Sequence, residues 1–184
     1  SIPVTNFIAR RQELMKQYRI AVSVMDVYPY TQTIMQICDY DVNAYGCTFS
    51  TGNSPELFTI QEKVADAEEG KLNLRLVKAN RTRALDEILL LFKEKRILIA
   101  RVSDSEDSKF LSHVLSMKRV QVFVKDELQF SWKKTTGEDH MMFAVMYLNL
   151  ATLLRGTVEP WATGSLGLVK SFRLKPQKFL AEFA

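Results

Sequence analysis

From Ile20 to Met25 the chain is almost uninterruptedly apolar, and the run stops at a carboxylate, Asp26. A short branched apolar run of this kind suits a strand covered on both faces, which requires a sheet with helices packed above and below it. The expectation is a central strand. In open α/β sheets, sites form at the carboxyl ends of such strands. An acid placed there is costly if it is buried without a partner, so Asp26 calls for a metal ion or a basic side chain. The alternative is that Asp26 caps a helix beginning near Pro29, a residue tolerated in a first helical turn.

The flanking patterns agree with alternating strands and helices. Phe7, Ile8, Leu14, Met15 and Tyr18 recur at helical spacing before the apolar run. A helix is expected from Pro29 through Cys38, and a strand from Asn43 to Ser50, followed by a turn-rich loop to Pro55. Phe58 to Val64 and Leu72 to Val77 can pair as a hairpin around Glu69 and Gly70, although Ala65 to Glu69 also fits a short helical turn. Asn80 is a suitable N-cap for a helix over 81–95, with Leu85, Ile88, Leu89 and Phe92 on one face. Ile97 to Ala100 reads as a short strand, and Ser105 to Met117 as a helix with acids in its first turn.

Val120, Val122 and Val124 alternate with Gln121, Phe123 and Lys125, and Leu128, Phe130 and Trp132 alternate likewise. That predicts a two-stranded antiparallel unit turning at Asp126 and Glu127. A helix over 138–154 follows, closed by Gly156. This order of elements makes the fold class α/β.

Composition narrows the function classes. With 184 residues, 47% of them hydrophobic and 25% charged, the chain has the balance of a globular domain rather than a disordered one. No apolar run reaches the ~20 residues of a membrane span. Cys38 and Cys47 lack metal-type spacing and read as two reduced, buried thiols. The net charge of +4 permits a polyanionic partner. Basic residues gather at Lys78, Arg81 and Arg83, at Lys118 and Arg119, at Lys133 and Lys134, and at Lys170, Arg173, Lys175 and Lys178. Each cluster is explicable as solvated surface; together they allow a phosphate-facing side.

A second carboxylate, Asp139, opens the predicted last helix, with His140 beside it. An acid at a helix start is also ordinary capping and dipole electrostatics.

Taken in order, the motifs carry a resemblance. Asp26-Val27-Tyr28-Pro29, then the stretch from Val77 through Asn80-Arg81-Thr82 to Asp86, then Phe110-Leu111-Ser112-His113, then Trp132 through Gly137 to Asp139-His140, with Ala144 and Tyr147, resemble the nuclease domain of phage terminase large subunits. The resemblance spans about Val22 to Gly156 and lies in motif order and spacing rather than in any single motif. It implies an RNase H-like mixed sheet flanked by helices. It further implies metal-dependent cleavage of concatemeric double-stranded viral DNA during genome packaging. The setting would be the host cell cytoplasm, with packaging-motor components such as a portal as partners.

Carried to matching positions, the resemblance makes Asp26 and Asp139 catalytic metal ligands. Phosphodiester hydrolysis needs an activated water and relief of charge at phosphorus, and two divalent ions roughly 4 Å apart supply both. Oxygen ligands select Mg²⁺ or Mn²⁺. Lys78, Arg81 and His140 become DNA contacts. The competing use of Lys78 and Arg81 is pairing with Asp86 or Glu87, and that of His140 is plain helix surface. One departure stands out. RNase H-like nucleases also take a carboxylate from a strand upstream of the position of Asp26, where this sequence offers only Glu13, on the polar side of a predicted helix. Glu138, Asp104, Glu106 and Asp107 do not match that place. The expectation is therefore a partial nuclease domain over 1–157, lacking its first strands and inactive by itself, and a tail over 158–184 of unassigned role. No GxxxxGK phosphate loop is present, so the ATPase part of a terminase is absent. Two other readings compete: a non-catalytic module that binds DNA or a packaging partner, and another RNase H-like enzyme such as a transposase or resolvase.

Overall fold

A computed structural model describes residues 4–50, 55–67, 70–97, 103–124, 127–135, 137–155 and 171–172. Along the chain run α1 (Val4–Gln17), β1 (Ser23–Asp26), α2 (Thr31–Tyr40), β2 (Ala44–Ser50), β3 (Phe58–Ala67), β4 (Gly70–Asn80), α3 (Arg81–Lys93), α4 (Asp104–Leu115), β5 (Met117–Val124), β6 (Glu127–Lys134), α5 (His140–Arg155) and β7 (Ser171–Phe172). The architecture is α/β. A five-stranded mixed sheet has the order β1-β2-β4-β3-β7, and β5 with β6 forms a separate two-stranded ribbon. β1, β2 and β4 are parallel, while β3 is antiparallel to β4 and to β7. This mixed sheet with flanking helices is compatible with an RNase H-like arrangement.

Strand alternation divides the core into two layers. On one face Val22, Tyr45, Cys47, Val77 and Ala79 meet α3, α5, Met117 and Trp132. On the other, Val27, Ala44, Leu74 and Leu76 meet α2 through Ile34, Met35, Ile37 and Cys38. Gly46 sits under α2 because nothing larger fits: a Cβ there would lie 2.7 Å from Val27 Cγ2 and 3.2 Å from Ile34 Cγ2.

Helix α5 shows how sequence becomes packing. Met142, Met146, Leu150 and Leu154 recur every fourth residue and are fully buried. Each contributes roughly 1.5–3 kcal/mol by leaving water. The chain enters this helix through Gly137 at φ 63°, a left-handed conformation that glycine adopts without strain. α3 begins as its sequence predicts, the Asn80 side chain accepting a hydrogen bond from the Arg83 N–H at 3.1 Å.

Several expectations need correction. Among the described strands β1 pairs with β2 alone, and it starts at Ser23 rather than Ile20. Ile20 belongs to the turn that closes α1, its N–H donating to Met15 O at 2.9 Å, while Arg19 takes φ 51°. Pro29 does not open α2; it lies in the bend before it, after a cis Tyr28–Pro29 bond, and Tyr30 is the N-cap. The β3–β4 hairpin runs to Ala67 opposite Gly70, so Ala65 to Ala67 are strand and not a helical turn. In α3 the buried stripe is Ala84, Leu85, Ile88 and Leu91, and Leu89 is exposed. α4 stops at Leu115, and Met117, expected to end it, begins β5. Ile97 is not in a strand, and residues 98–102 lie outside the described ones. So does the expected tail apart from Ser171 and Phe172, which pair with Thr59 and Phe58.

Candidate functional site

Asp26 ends β1 on the face of the sheet that carries α5. Its Oδ1 accepts the Tyr28 backbone N–H at 3.1 Å, a local turn of the kind aspartates favour, and its Oδ2 accepts the Tyr147 hydroxyl at 2.9 Å. The helix-capping alternative for Asp26 does not hold, since α2 has no side-chain cap bond.

Asp139 lies just before α5. Its carbonyl accepts the first bond of the helix, from the Phe143 N–H at 3.2 Å, so its backbone acts as the N-cap while its side chain is free to face elsewhere. That carboxylate approaches Lys134 Nζ at 3.6 Å, and its side chain is only 16% exposed. A buried histidine steadies this end of the helix: His113 Nδ1 accepts the Met141 N–H at 3.4 Å, and its Nε2 lies 3.5 Å from Glu138 Oε2.

The two aspartates, remote in sequence, line the same cleft of about 470 Å³. Arg81, His140, Phe49, Phe143, Ala144 and Tyr147 complete its wall. His140, Phe143, Ala144 and Tyr147 share a side of α5 because they are three and four residues apart. Phe49 braces the wall, edge-on to Phe143 at 5.9 Å between centroids and stacked on Tyr147 at 6.1 Å. The Arg81 guanidinium sits 5.0 Å above the Phe143 ring, and its buried Nε has no hydrogen-bond partner among the described residues. A cation held against a π face in the wall of a cleft suits an incoming anion. Of the two competitors for Arg81, Asp86 is engaged elsewhere, paired with Arg119.

Electrostatics follow the geometry. Burial, then the hydrogen bond to Asp26 and its charge, push the Tyr147 hydroxyl far above the ordinary tyrosine range, so it stays a donor. Cys47, opposite Asp26 in the β1–β2 register, is pushed up to about 12 by burial first and by the Asp26 charge second.

Of the residues singled out in the sequence, Asp26, Asp139, Arg81 and His140 converge. Lys78 does not. It alternates onto the α2 face of β4 and lines a separate pocket of about 190 Å³ with Ser50, Glu56, Phe58, Thr59 and Gln61. Sequence reasoning placed Lys134 only in a basic cluster and Tyr147 only in the motif series, without assigning either a role at the cleft, and it singled out Phe49 in no way.

Mg²⁺ commonly uses one or two carboxylates, several waters and substrate phosphates. Asp26 and Asp139 fit that donor set, because each Asp26 oxygen holds one hydrogen bond and keeps a lone pair. The two-ion arrangement asks for more acids, and among the described residues no group of three or more His, Cys, Asp or Glu side chains assembles as a metal site. Comparison with known proteins returned no match to a family model, a curated protein or a solved structure.

Proposed function

We propose that the cleft is the centre of a metal-dependent endonuclease acting on double-stranded DNA, with Asp26 and Asp139 holding Mg²⁺ or Mn²⁺. The observation that carries this reading is the meeting of those two carboxylates in one cleft with Arg81. The RNase H-compatible sheet supports it, as does the order of motifs resembling terminase nuclease domains. On that resemblance the substrate is concatemeric viral DNA during genome packaging, in the host cell cytoplasm, beside a portal or other motor component. No helix among the described residues is long and apolar enough to cross a membrane.

When bound, the ion supplies an activated water and neutralises charge building on the phosphate. The chain's own residues do the rest. Asp26 and Asp139 present oxygen ligands from two separate elements, so their separation is set by the packing of α5 on the sheet. Arg81 and His140 face the same space and receive phosphate oxygens. Phe49, Phe143 and Tyr147 form an apolar wall that limits water on one side of the cleft.

A non-catalytic DNA-binding module is the second reading, favoured by the absence of a third acid at the cleft among the described residues. Calorimetric titration with Mn²⁺, paired with a plasmid-nicking assay, separates the two. The nuclease reading expects a site-specific heat from this chain and ion-dependent nicking once a carboxylate-bearing upstream strand is supplied, both lost in Asp26→Asn and in Asp139→Asn. DNA binding with no such heat would establish the binding module instead.

A further inference from the structure

We infer that Tyr147 is the positioning residue of the cleft, holding the Asp26 carboxylate in the orientation that lets it serve as an ion ligand; this rests on the ion-binding reading above. A carboxylate at the exposed end of a strand rotates about χ1 and χ2 unless something holds it. The backbone N–H of Tyr28 fixes one oxygen of Asp26, and the Tyr147 hydroxyl fixes the other at 2.9 Å. With both oxygens tied from different directions, both torsions are set before any ligand arrives. The remaining lone pairs then keep a constant direction toward the cleft that Asp26 and Asp139 share.

Tyr147 is itself held. Its ring stacks on Phe49 at an interplanar angle of 27°, and Phe49 in turn meets Phe143 edge-on. The hydroxyl is therefore carried on a braced ring and on a helix anchored by fully buried Met142, Met146, Leu150 and Leu154. Asp139 heads the same helix. The bond from Tyr147 to Asp26 thus does two things together: it orients one carboxylate and fixes the distance from β1 to the helix that delivers the other. Partners that orient a ligand in this way typically govern metal affinity by about 10–100-fold.

Tyr147→Phe is the test, since it deletes the hydroxyl and keeps the ring on Phe49. Mn²⁺ affinity is read by calorimetry on unmodified protein, Tyr147→Phe and Asp26→Asn, and melting is read in the presence of chelator. The expected result is binding in the unmodified protein, its loss in Asp26→Asn, and affinity at least about tenfold weaker in Tyr147→Phe. Ion-free melting should move by less than about 4 °C, the equivalent of one ordinary hydrogen bond. A merely structural hydroxyl predicts the reverse: lower melting with unchanged affinity, and that result overturns the inference while the ion site stands. If the unmodified protein binds no ion, or Asp26→Asn binds as well as it does, the reading of the cleft falls and the inference falls with it. Phe49→Leu is the second variant. It loosens the ring without touching either hydrogen-bonding partner, so it should weaken Mn²⁺ binding less than Tyr147→Phe. Should Tyr147→Phe not fold, unchanged affinity in Phe49→Leu overturns the inference.

Discussion

Two aspartates, each tied to an aromatic residue far along the chain, have opposite characters. Asp86, on α3, is held by three side-chain donors: Arg119 donates to it through Nε at 2.9 Å and Nη2 at 3.2 Å, and Trp132 Nε1 donates at 2.8 Å. Arg119 is further clamped by the Phe130 ring, 3.8 Å beneath it. Asp86 thereby fastens the β5–β6 ribbon, which has only two strands and would be marginal alone, to the body of the domain. Asp26 accepts one hydrogen bond on each oxygen, none of them from a cation, and faces a cleft that Arg81 also lines. A carboxylate already neutralised by a clamped arginine holds structure together. One that keeps capacity, at the mouth of a cleft, is available for a ligand.

The largest expected effect tests the cleft side of this contrast. Asp26→Asn and Asp139→Asn should each weaken Mn²⁺ binding by roughly a hundredfold or more, beyond the range seen for residues that only orient a ligand. Asp86→Ala should leave that affinity unchanged. Calorimetry on the three variants decides it, and an Asp86 variant that loses the ion would break the distinction.

Next in size is the stability of the Asp86–Arg119–Trp132 knot. Asp86→Ala strands an arginine and an indole N–H that are only partly exposed, which costs about 2 kcal/mol once solvent access is allowed for. For a chain of this length that lowers the melting temperature by roughly 4–8 °C. Asp26→Asn, at an exposed position, should shift melting by less than half as much. Trp132→Phe sharpens the comparison further: it removes one of the three bonds to Asp86 and keeps the Arg119 pair, costing about 1 kcal/mol.

The smallest effect concerns the two thiols. Cys38 and Cys47 are free and buried, and burial raises both above the ordinary thiol range, Cys47 to about 12. At pH 8 roughly one Cys47 in ten thousand is a thiolate, so iodoacetamide should leave the native protein unmodified and label it only on unfolding. The sign for stability follows. Above pH 9 the unfolded chain releases this proton and the folded one keeps it, so stability falls as pH rises from about 9 toward 12. Alkaline melting curves check that direction.

How much was legible in the sequence differs by kind of feature. The Asn80 cap, the alternating ribbon over Val120 to Trp132 and a last helix opening within two residues of Glu138 depend on neighbours a few residues away, and all three were readable. The start of β1 was not. The apolar run opens at Ile20, yet Ile20 turns back onto α1 and the strand begins at Ser23, because pairing with β2 decides where a strand starts. Lys78 illustrates the same limit. Its residue type fits a DNA contact, but the register of β4 turns it onto the face opposite Asp26 and Arg81. The exposure of Leu89 likewise reflects where α3 meets the ribbon, which periodicity alone does not give.

By itself, then, the sequence determined local structure and the chemical types available: alternating strands and helices, a carboxylate after an apolar strand, another at a helix start, an arginine behind an asparagine cap. Short-range sterics and hydrogen bonding dictate these, and they act between residues close in the chain. Tertiary structure alone decided which of them meet. The packing of α5 against β1 brought Tyr147 to Asp26 and Asp139 to the same cleft, and strand register excluded Lys78. Contacts between remote residues depend on how whole elements bury their apolar faces, so no local pattern encodes them.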